Sequence, residues 1–422
     1  MSDCKHCRER RDFLKLGGLT VAISAIDPTL LRASPRLRLA QHPNLRPTGK
    51  TLVHIWLRGG QDGLNVSVPT EAGEYAIYQS YRPGLQIPMA QLTPQQLTPD
   101  FALHPATNAG LYALWQQGMV AALPTVGYPV SSRSHFDGQK FLENGTPWDK
   151  TTPDGWLTRW LTGTGPSADP LRAVSFTNSV PLLLSGPSGA LSFNSIADLR
   201  VSRDPTRNQK YLDNQQQWYA LPTLGRTYDD DVAGAGTGLV TAIEEIELRQ
   251  PLPPPAATYP GGSFGTALSE LAQLMKVGFA VEVANLELNG WDHHAQQENA
   301  FDNLLTQLSD GIAAFVADIG PALMANTLVV TISEFGRTAR ENGNAGTDHG
   351  NAWTSFAVGP MVNQGVWMGA AGWPGLANLR DNRDLGYTVD FRDFYSEILD
   401  RHMGILTPDV FPGWTYTPVG FL

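Results

Sequence analysis

Apolar positions along the chain fall into short runs separated by glycine-flanked polar turns. Thr51-Leu-Val-His-Ile-Trp-Leu57 and Thr327-Leu-Val-Val-Thr-Ile332 are β-branched and almost wholly apolar. Such runs suit strands at the centre of a parallel sheet, where helices cover both faces. Met119 to Leu123 and Ala280 to Leu288 also read as strands. Between the later strands the period changes. Ala267, Leu271, Leu274 and Met275 recur at helical spacing, with Gly278 as the stop. Ala300, Leu304, Leu308, Ile312, Phe315 and Ile319 define a second amphipathic helix, so Ala280 to Ile332 reads as a β-α-β unit with parallel strands. Helices are also expected over Asn108 to Gly118, from Ser134 through Glu143, and over Asp390 to Met403; the aromatic stretch Gly155 to Leu161 packs on the second of these.

From Thr164 to Pro260 the pattern weakens. Ala173 to Phe176 and Val180 to Leu184 are candidate short strands, Arg200 to Thr227 is polar, and Pro251-Leu-Pro-Pro-Pro255 is a stiff punctuation. The region holds no histidine, which makes it an insertion or lid and not a catalytic domain. The fold expected is a three-layer α/β/α sandwich on a mainly parallel sheet, spanning residues 46–422 with that insertion at about 164–260.

Composition adjusts this picture in two places. Apolar residues make up 42% of the 422, enough for a large core, and 42 glycines with 31 prolines imply many turns. A net charge of −10 argues against nucleic acid or an anionic membrane surface as partner. Residues 1–45 read as a leader. Glu9-Arg-Arg-Asp-Phe-Leu-Lys15 is a near-complete twin-arginine signal, and the apolar run Leu16 to Ile26 is about half the ~20 residues that would cross a bilayer. The translocase is therefore an expected partner, without a stable membrane anchor, and the expected location is periplasmic or secreted. Ala33 and Ala40 are candidate cleavage positions. Both cysteines, Cys4 and Cys7, fall inside the leader, so the mature chain would carry no disulfide.

The candidate chemistry sits where the strands end, the usual ligand edge of an open α/β sheet. Asp62 follows the first strand, Asp292, His293 and His294 follow the strand ending at Leu288, and Glu334 follows Ile332. Asp348 and His349 lie on the next loop, and His135 lies at the helix start beside Ser134. Carboxylates and imidazoles converging from several strand ends make a site for a divalent metal; zinc or manganese is favoured by the imidazoles, and calcium is possible. Asp292 and His294 are the better pair within their turn, leaving His293 for a substrate or supporting contact. Ser134 can be a helix cap or a nucleophile at a helix N-terminus, with Ser132 as the fallback. Arg133 and Arg337 can neutralise an anionic substrate, or Arg337 can pair with Glu334. His104, before a helix, reads as a cap. Gly59-Gly60 has neither dinucleotide nor Walker spacing.

In order along the chain, the motifs Leu57-Arg-Gly-Gly-Gln-Asp-Gly-Leu-Asn65, Phe101-Ala-Leu-His-Pro105, Val126-Gly-Tyr128 with Arg133-Ser-His-Phe136, Gly290-Trp-Asp-His-His294, Ser333-Glu-Phe-Gly-Arg337 and Thr347-Asp-His-Gly350 resemble the bacterial family called domain of unknown function 1501. That family is similar to the alkaline phosphatase and sulfatase superfamily. The resemblance implies an alkaline-phosphatase-like sandwich and a metal-assisted site for small anionic phosphate or sulfate esters. It implies Asp62 as the first metal-binding Asp, Ser134 as nucleophile, Asp292 and His294 as the middle ligand pair, Glu334 in place of an Asp, and His349 as the final ligand. One departure matters. The superfamily has Asp-His after the late strand, whereas this chain has Glu334-Phe335. Phenylalanine cannot bind a metal, so a two-metal site is incomplete unless His135 substitutes. His293 also stands where the family usually has a small hydroxyl residue. Two readings follow: an exported ester hydrolase, or a binding protein that keeps the fold and an ion without turnover.

Overall fold

Nine strands form one mixed sheet in a computed structural model that describes residues 49–422, apart from 130–131, 166, 168, 188, 200–203 and 220–228. The twin-arginine segment, its candidate cleavage positions and both cysteines lie outside the described residues. The strands are β1 (Thr51–Arg58), β5 (Val120–Gly127), β6 (Ala173–Ser175), β7 (Leu191–Ser192), β8 (Val283–Asn289), β9 (Thr327–Ile332), β10 (Trp353–Val358), β11 (Gly365–Val366) and β12 (Val389–Asp390). Their order is β11-β5-β10-β9-β1-β8-β6-β7, with β12 also beside β5. All pair in parallel except β10, which runs antiparallel to both β5 and β9. A small antiparallel sheet of β2 (Ser67–Pro69), β3 (Gln96–Thr98) and β4 (Phe101–Leu103) lies apart from it.

The apolar runs are buried on both faces, and alternation divides them. On β1, Val53, Ile55 and Leu57 join one core, while Leu52 and Trp56 join the other. The helices are α1 (Ala72–Tyr81), α2 (His135–Asn144), α3 (Trp156–Gly163), α4 (Pro205–Tyr219), α5 (Asp229–Leu248), α6 (Ser263–Lys276), α7 (Gln297–Met324) and α8 (Phe391–Glu397). The first core takes Leu268 and Leu271 of α6, Leu305, Leu308 and Phe315 of α7, and Leu212 and Ile243 from α4 and α5. The second takes Phe141 of α2, Trp156 and Trp160 of α3, and Tyr395 of α8. The protein is thus α/β, with a mostly parallel sheet covered by helices on both sides. No helix among the described residues is long and apolar enough to cross a membrane.

Several elements differ from the sequence expectation. Asn108 to Gly118 is not one regular helix: a π turn over Asn108–Tyr112 precedes Ala113–Gln116. There Gly110 packs so closely on α7 that a Cβ would lie 2.2 Å from the Ser309 carbonyl oxygen, and the Ser309 hydroxyl takes the Leu111 N–H. Val180 to Leu184 closes in a 3-10 turn at Leu182–Leu184 instead of a strand. In the region expected as an insertion, β6 and β7 extend the main sheet, and α4 and α5 add buried residues to the first core. Helix α7 is kinked where Gly320 adopts φ 70° ahead of Pro321, which cannot continue the hydrogen-bond ladder.

Candidate metal centre

Four chain segments reach one edge of the sheet. Strands β9, β1 and β8 are parallel neighbours, so the turns after Ile332, Arg58 and Asn289 emerge side by side. Those turns can only meet because Gly59 and Gly60 have positive φ, 123° and 81°, and no side chain. A Cβ on Gly59 would lie 2.5 Å from the Asp292 backbone nitrogen, and one on Gly60 would lie 2.6 Å from the Phe335 ring. The antiparallel β10 starts opposite the carboxyl end of β5, with Trp353 paired to Val126, so the loop before it arrives at the same edge. That loop carries Asp348 and His349, and a backbone bridge joins His349 to Arg337. Helix α2 then brings His135 in from the end of β5, with Gly138 packed on the Glu334 backbone.

Three imidazoles converge on the Asp292 carboxylate. His349 Nε2 lies 3.0 Å and His294 Nε2 lies 3.1 Å from Asp292 Oδ1, and His135 Nε2 lies 3.5 Å from Oδ2. The two nitrogens His294 Nε2 and His349 Nε2 are 3.0 Å apart. His135, Asp292 and His349 place their ligand atoms all within 4.8 Å of one another. Each ring is held from behind through its other nitrogen. His135 Nδ1 is 2.8 Å from Glu334 Oε1, His294 Nδ1 is 3.0 Å from Asp348 Oδ1, and His349 Nδ1 is 2.9 Å from the Arg133 carbonyl oxygen. Carboxylate and carbonyl oxygens only accept, so a proton on each Nδ1 satisfies these contacts, and loss of the Nε2 proton would free that nitrogen's lone pair on the Asp292 side. His135 Nε2 is buried without a hydrogen-bond partner.

The charges explain how so many acceptors coexist. Burial raises the Asp292 carboxyl, but the Arg337 guanidinium, 2.5 Å away, outweighs it and holds the group at about 2. Burial likewise opposes ionisation of Glu334, and donors from His135, Gly59 and Trp56 hold it below the usual carboxylate range. The Glu334 hydrogen bond raises His135, while burial lowers His349. The site is open on one side, since the Asp292 and His294 side chains are 44% and 46% exposed.

The sequence-selected residues do not all join this cluster. Asp62 stands at the same edge, yet both its oxygens are engaged by Arg82, at 2.6 and 2.8 Å, and Gln297 donates to Oδ2 at 2.5 Å. Asp62 is therefore not among the atoms that converge on Asp292, whereas His135 is. Glu334 is fully buried behind His135 and not among the converging atoms. Arg337 neither pairs with Glu334 nor faces solvent; besides Asp292 it donates to the carbonyls of Gly59, Gly60, Trp291 and Thr347. Arg133 adopts φ 52° and pairs with Asp384 at 2.7 Å and Asp381 at 3.4 Å. His293 is buried edge-on to Phe301, apart from the cluster. Ser134 caps α2 through the Asp137 N–H at 3.5 Å, and the Ser132 hydroxyl donates to the Ser134 carbonyl. His104 is the cap expected, accepting from the Ala106 N–H at 3.1 Å. Phe335 is fully buried against His135 and His349, with ring centroids 4.9 and 4.6 Å away. Arg82, Gln297, Trp56 and Gln139 gave no motif signal; each is recruited by tertiary contact alone.

Fold and site together define an α/β protein with a histidine-carboxylate cluster at the carboxyl edge of a mostly parallel sheet. The model of the family described as a protein of unknown function (DUF1501) matches residues 128–410, more than half of the chain, and the protein belongs to that family. No curated protein matches it. All four converging residues lie within the matched span, whereas β1 and Asp62 precede it.

Proposed function

We propose that this chain is an exported, metal-dependent hydrolase of phosphate or sulfate esters, with one divalent ion held by His135, Asp292, His294 and His349. The observation that carries the reading is the convergence of three Nε2 atoms on one carboxylate, each ring anchored through Nδ1. Metal-binding histidines are commonly fixed in this way by a carboxylate or carbonyl behind the ring. Three nitrogens and one oxygen suit zinc, then manganese, better than calcium, which prefers an all-oxygen shell. A divalent ion there supplies charge that polarises an ester and lowers the pKa of a nearby hydroxyl.

Ser134, adjacent to His135 at the start of α2, is the nucleophile in this reading. Its capping bond is long, so giving it up costs little. The serine oxygen bonds to phosphorus or sulfur as the alcohol leaves, and water then releases phosphate or sulfate. Free amides in the first turn of α2 favour the negative oxygens. The mostly parallel sheet and its edge site support an alkaline-phosphatase-like sandwich, and Arg10-Arg11 supports export.

A second reading, an ion-binding protein without turnover, is favoured by the arginines. Arg337 is consumed by backbone carbonyls and Asp292, and Arg133 is held by Asp384. Metal analysis of protein purified without chelator, followed by assay on aryl phosphates and sulfates, separates the two. Bound zinc with turnover supports the hydrolase; bound zinc with no turnover across the panel supports the binding protein; no bound divalent metal sinks both. Replacing Arg10 and Arg11 with Lys should leave the precursor in the cytoplasm, and unchanged export in cell fractions would refute that part.

A further inference from the structure

We infer that Glu334 is a positioning residue for His135 and not a ligand, so that the centre holds a single ion; this rests on the metal reading above. A carboxylate offers about four lone-pair positions. At Glu334 four donors from other chain segments compete for them, beside the adjacent Ser333 hydroxyl. Oε1 accepts from the His135 Nδ1–H at 2.8 Å, the Gly59 N–H at 2.9 Å and Gln139 Nε2 at 3.3 Å, and Oε2 accepts from the Trp56 indole N–H at 3.2 Å. The side chain is fully buried. An ion at Oε1 could be bound only by displacing a donor that the turn after β1 or α2 holds in place.

The neighbouring residue closes the alternative. Phe335 packs against both His135 and His349 and offers no ligand atom there. Gly60 lacks the Cβ that would collide with that ring, so its seat is built into the backbone. The support for Glu334 extends one step further. Arg58 lies 4.5 Å over the Trp56 ring and pairs with Glu143 of α2 at 3.0 Å and Glu287 of β8 at 2.6 Å. Strand β1, strand β8 and α2 are thereby tied together around the carboxylate that selects the tautomer of His135. Only the Nδ1–H tautomer leaves Nε2 able to bind an ion.

The tautomer can be read without metal. In long-range proton-nitrogen spectra of the metal-free protein above pH 8, His135 should carry its proton on Nδ1. Glu334→Ala should shift His135 toward the Nε2–H form, whereas Glu334→Gln, which keeps an accepting oxygen, should retain Nδ1–H. The wild type should bind one zinc per chain. Glu334→Ala should still bind one, about 10–100-fold more weakly, the usual loss when such a supporting partner is removed. If Glu334→Ala does not fold, Glu334→Gln should show one zinc with smaller loss of affinity. Two ions in the wild type falling to one in either variant would make Glu334 a ligand and overturn the inference, as would an unchanged tautomer in a folded Glu334→Ala protein. A tautomer shift in Glu334→Ala, together with a wild type that binds no zinc, would uphold the positioning role and overturn the proposed function instead.

Discussion

At the scale of single residues, the same chemical type plays opposite parts at one edge of the sheet. Asp292 and Asp62 both follow a parallel strand, yet one faces three imidazoles and the other a bidentate arginine. Removing Asp62 leaves Arg82 as an unpaired buried cation, which typically costs about 3–5 kcal/mol. Asp62→Ala should therefore lower unfolding stability by that order while zinc stoichiometry is unchanged; loss of the metal with stability intact would restore Asp62 as a ligand. The reverse pattern is expected inside the cluster. His349→Ala should lose both zinc and ester turnover. Ser134→Ala should keep zinc, lose turnover, and cost at most about 1 kcal/mol for its long cap. Wild-type hydrolysis by Ser134→Ala would eliminate the covalent mechanism. His135, Asp292, His294 and His349 were legible because each follows a readable strand or opens a readable helix. Arg82 was not, since nothing in Ser80-Tyr-Arg-Pro83 marks it as the partner of a residue twenty positions earlier.

Among the elements, β10 decides most and was the least visible. Trp353 to Val358 is only six residues long, and periodicity carries no information about strand direction. Because it runs antiparallel, the loop preceding it, and not the one following it, reaches the site. The turns after β1 and β8 are the other decisive pieces, and they depend on Gly59. Gly59→Ala would combine strain at φ 123° with a 2.5 Å collision against the Asp292 amide. It should cost roughly 1–3 kcal/mol for the backbone alone and weaken zinc binding by displacing Asp292. Gly278→Ala, at φ 89° with open space around the added atom, is the control and should leave zinc affinity unchanged. Equal zinc affinity in both variants, measured by titration, would show that the turn does not set the site.

Across the whole molecule, His54, His104 and His402, buried and far apart in sequence, predict an acid-sensitive fold. Burial pushes His54, His104 and His402 down from 6.5 to about 4. The unfolded chain takes up those protons below pH 6.5, but the folded chain does so only near pH 4. Their contribution is thus complete above 6.5 and is lost as pH falls toward 4. Each shift corresponds to at most about 3 kcal/mol. Denaturant midpoints measured from pH 7 to 4.5 should fall steadily as these rings take up protons on unfolding. A flat profile across that window would contradict the buried neutral state of these rings.

The sequence alone determined the α/β class, the parallel core strands, the α6-β8-α7-β9 succession and the edge where chemistry collects. Those follow from local period and composition, which survive without knowledge of the rest of the chain. Only the tertiary structure decided which acids point at the histidines and which are neutralised behind them. Asp62, Glu334 and Arg337 belong to the edge by their strands, but their partners Arg82, His135 and the Gly59, Gly60 and Thr347 carbonyls come from other elements. A carboxylate becomes a ligand or a support according to the donors packed around it, and that packing is set by strand order, the reversed direction of β10 and two side-chain-free glycines.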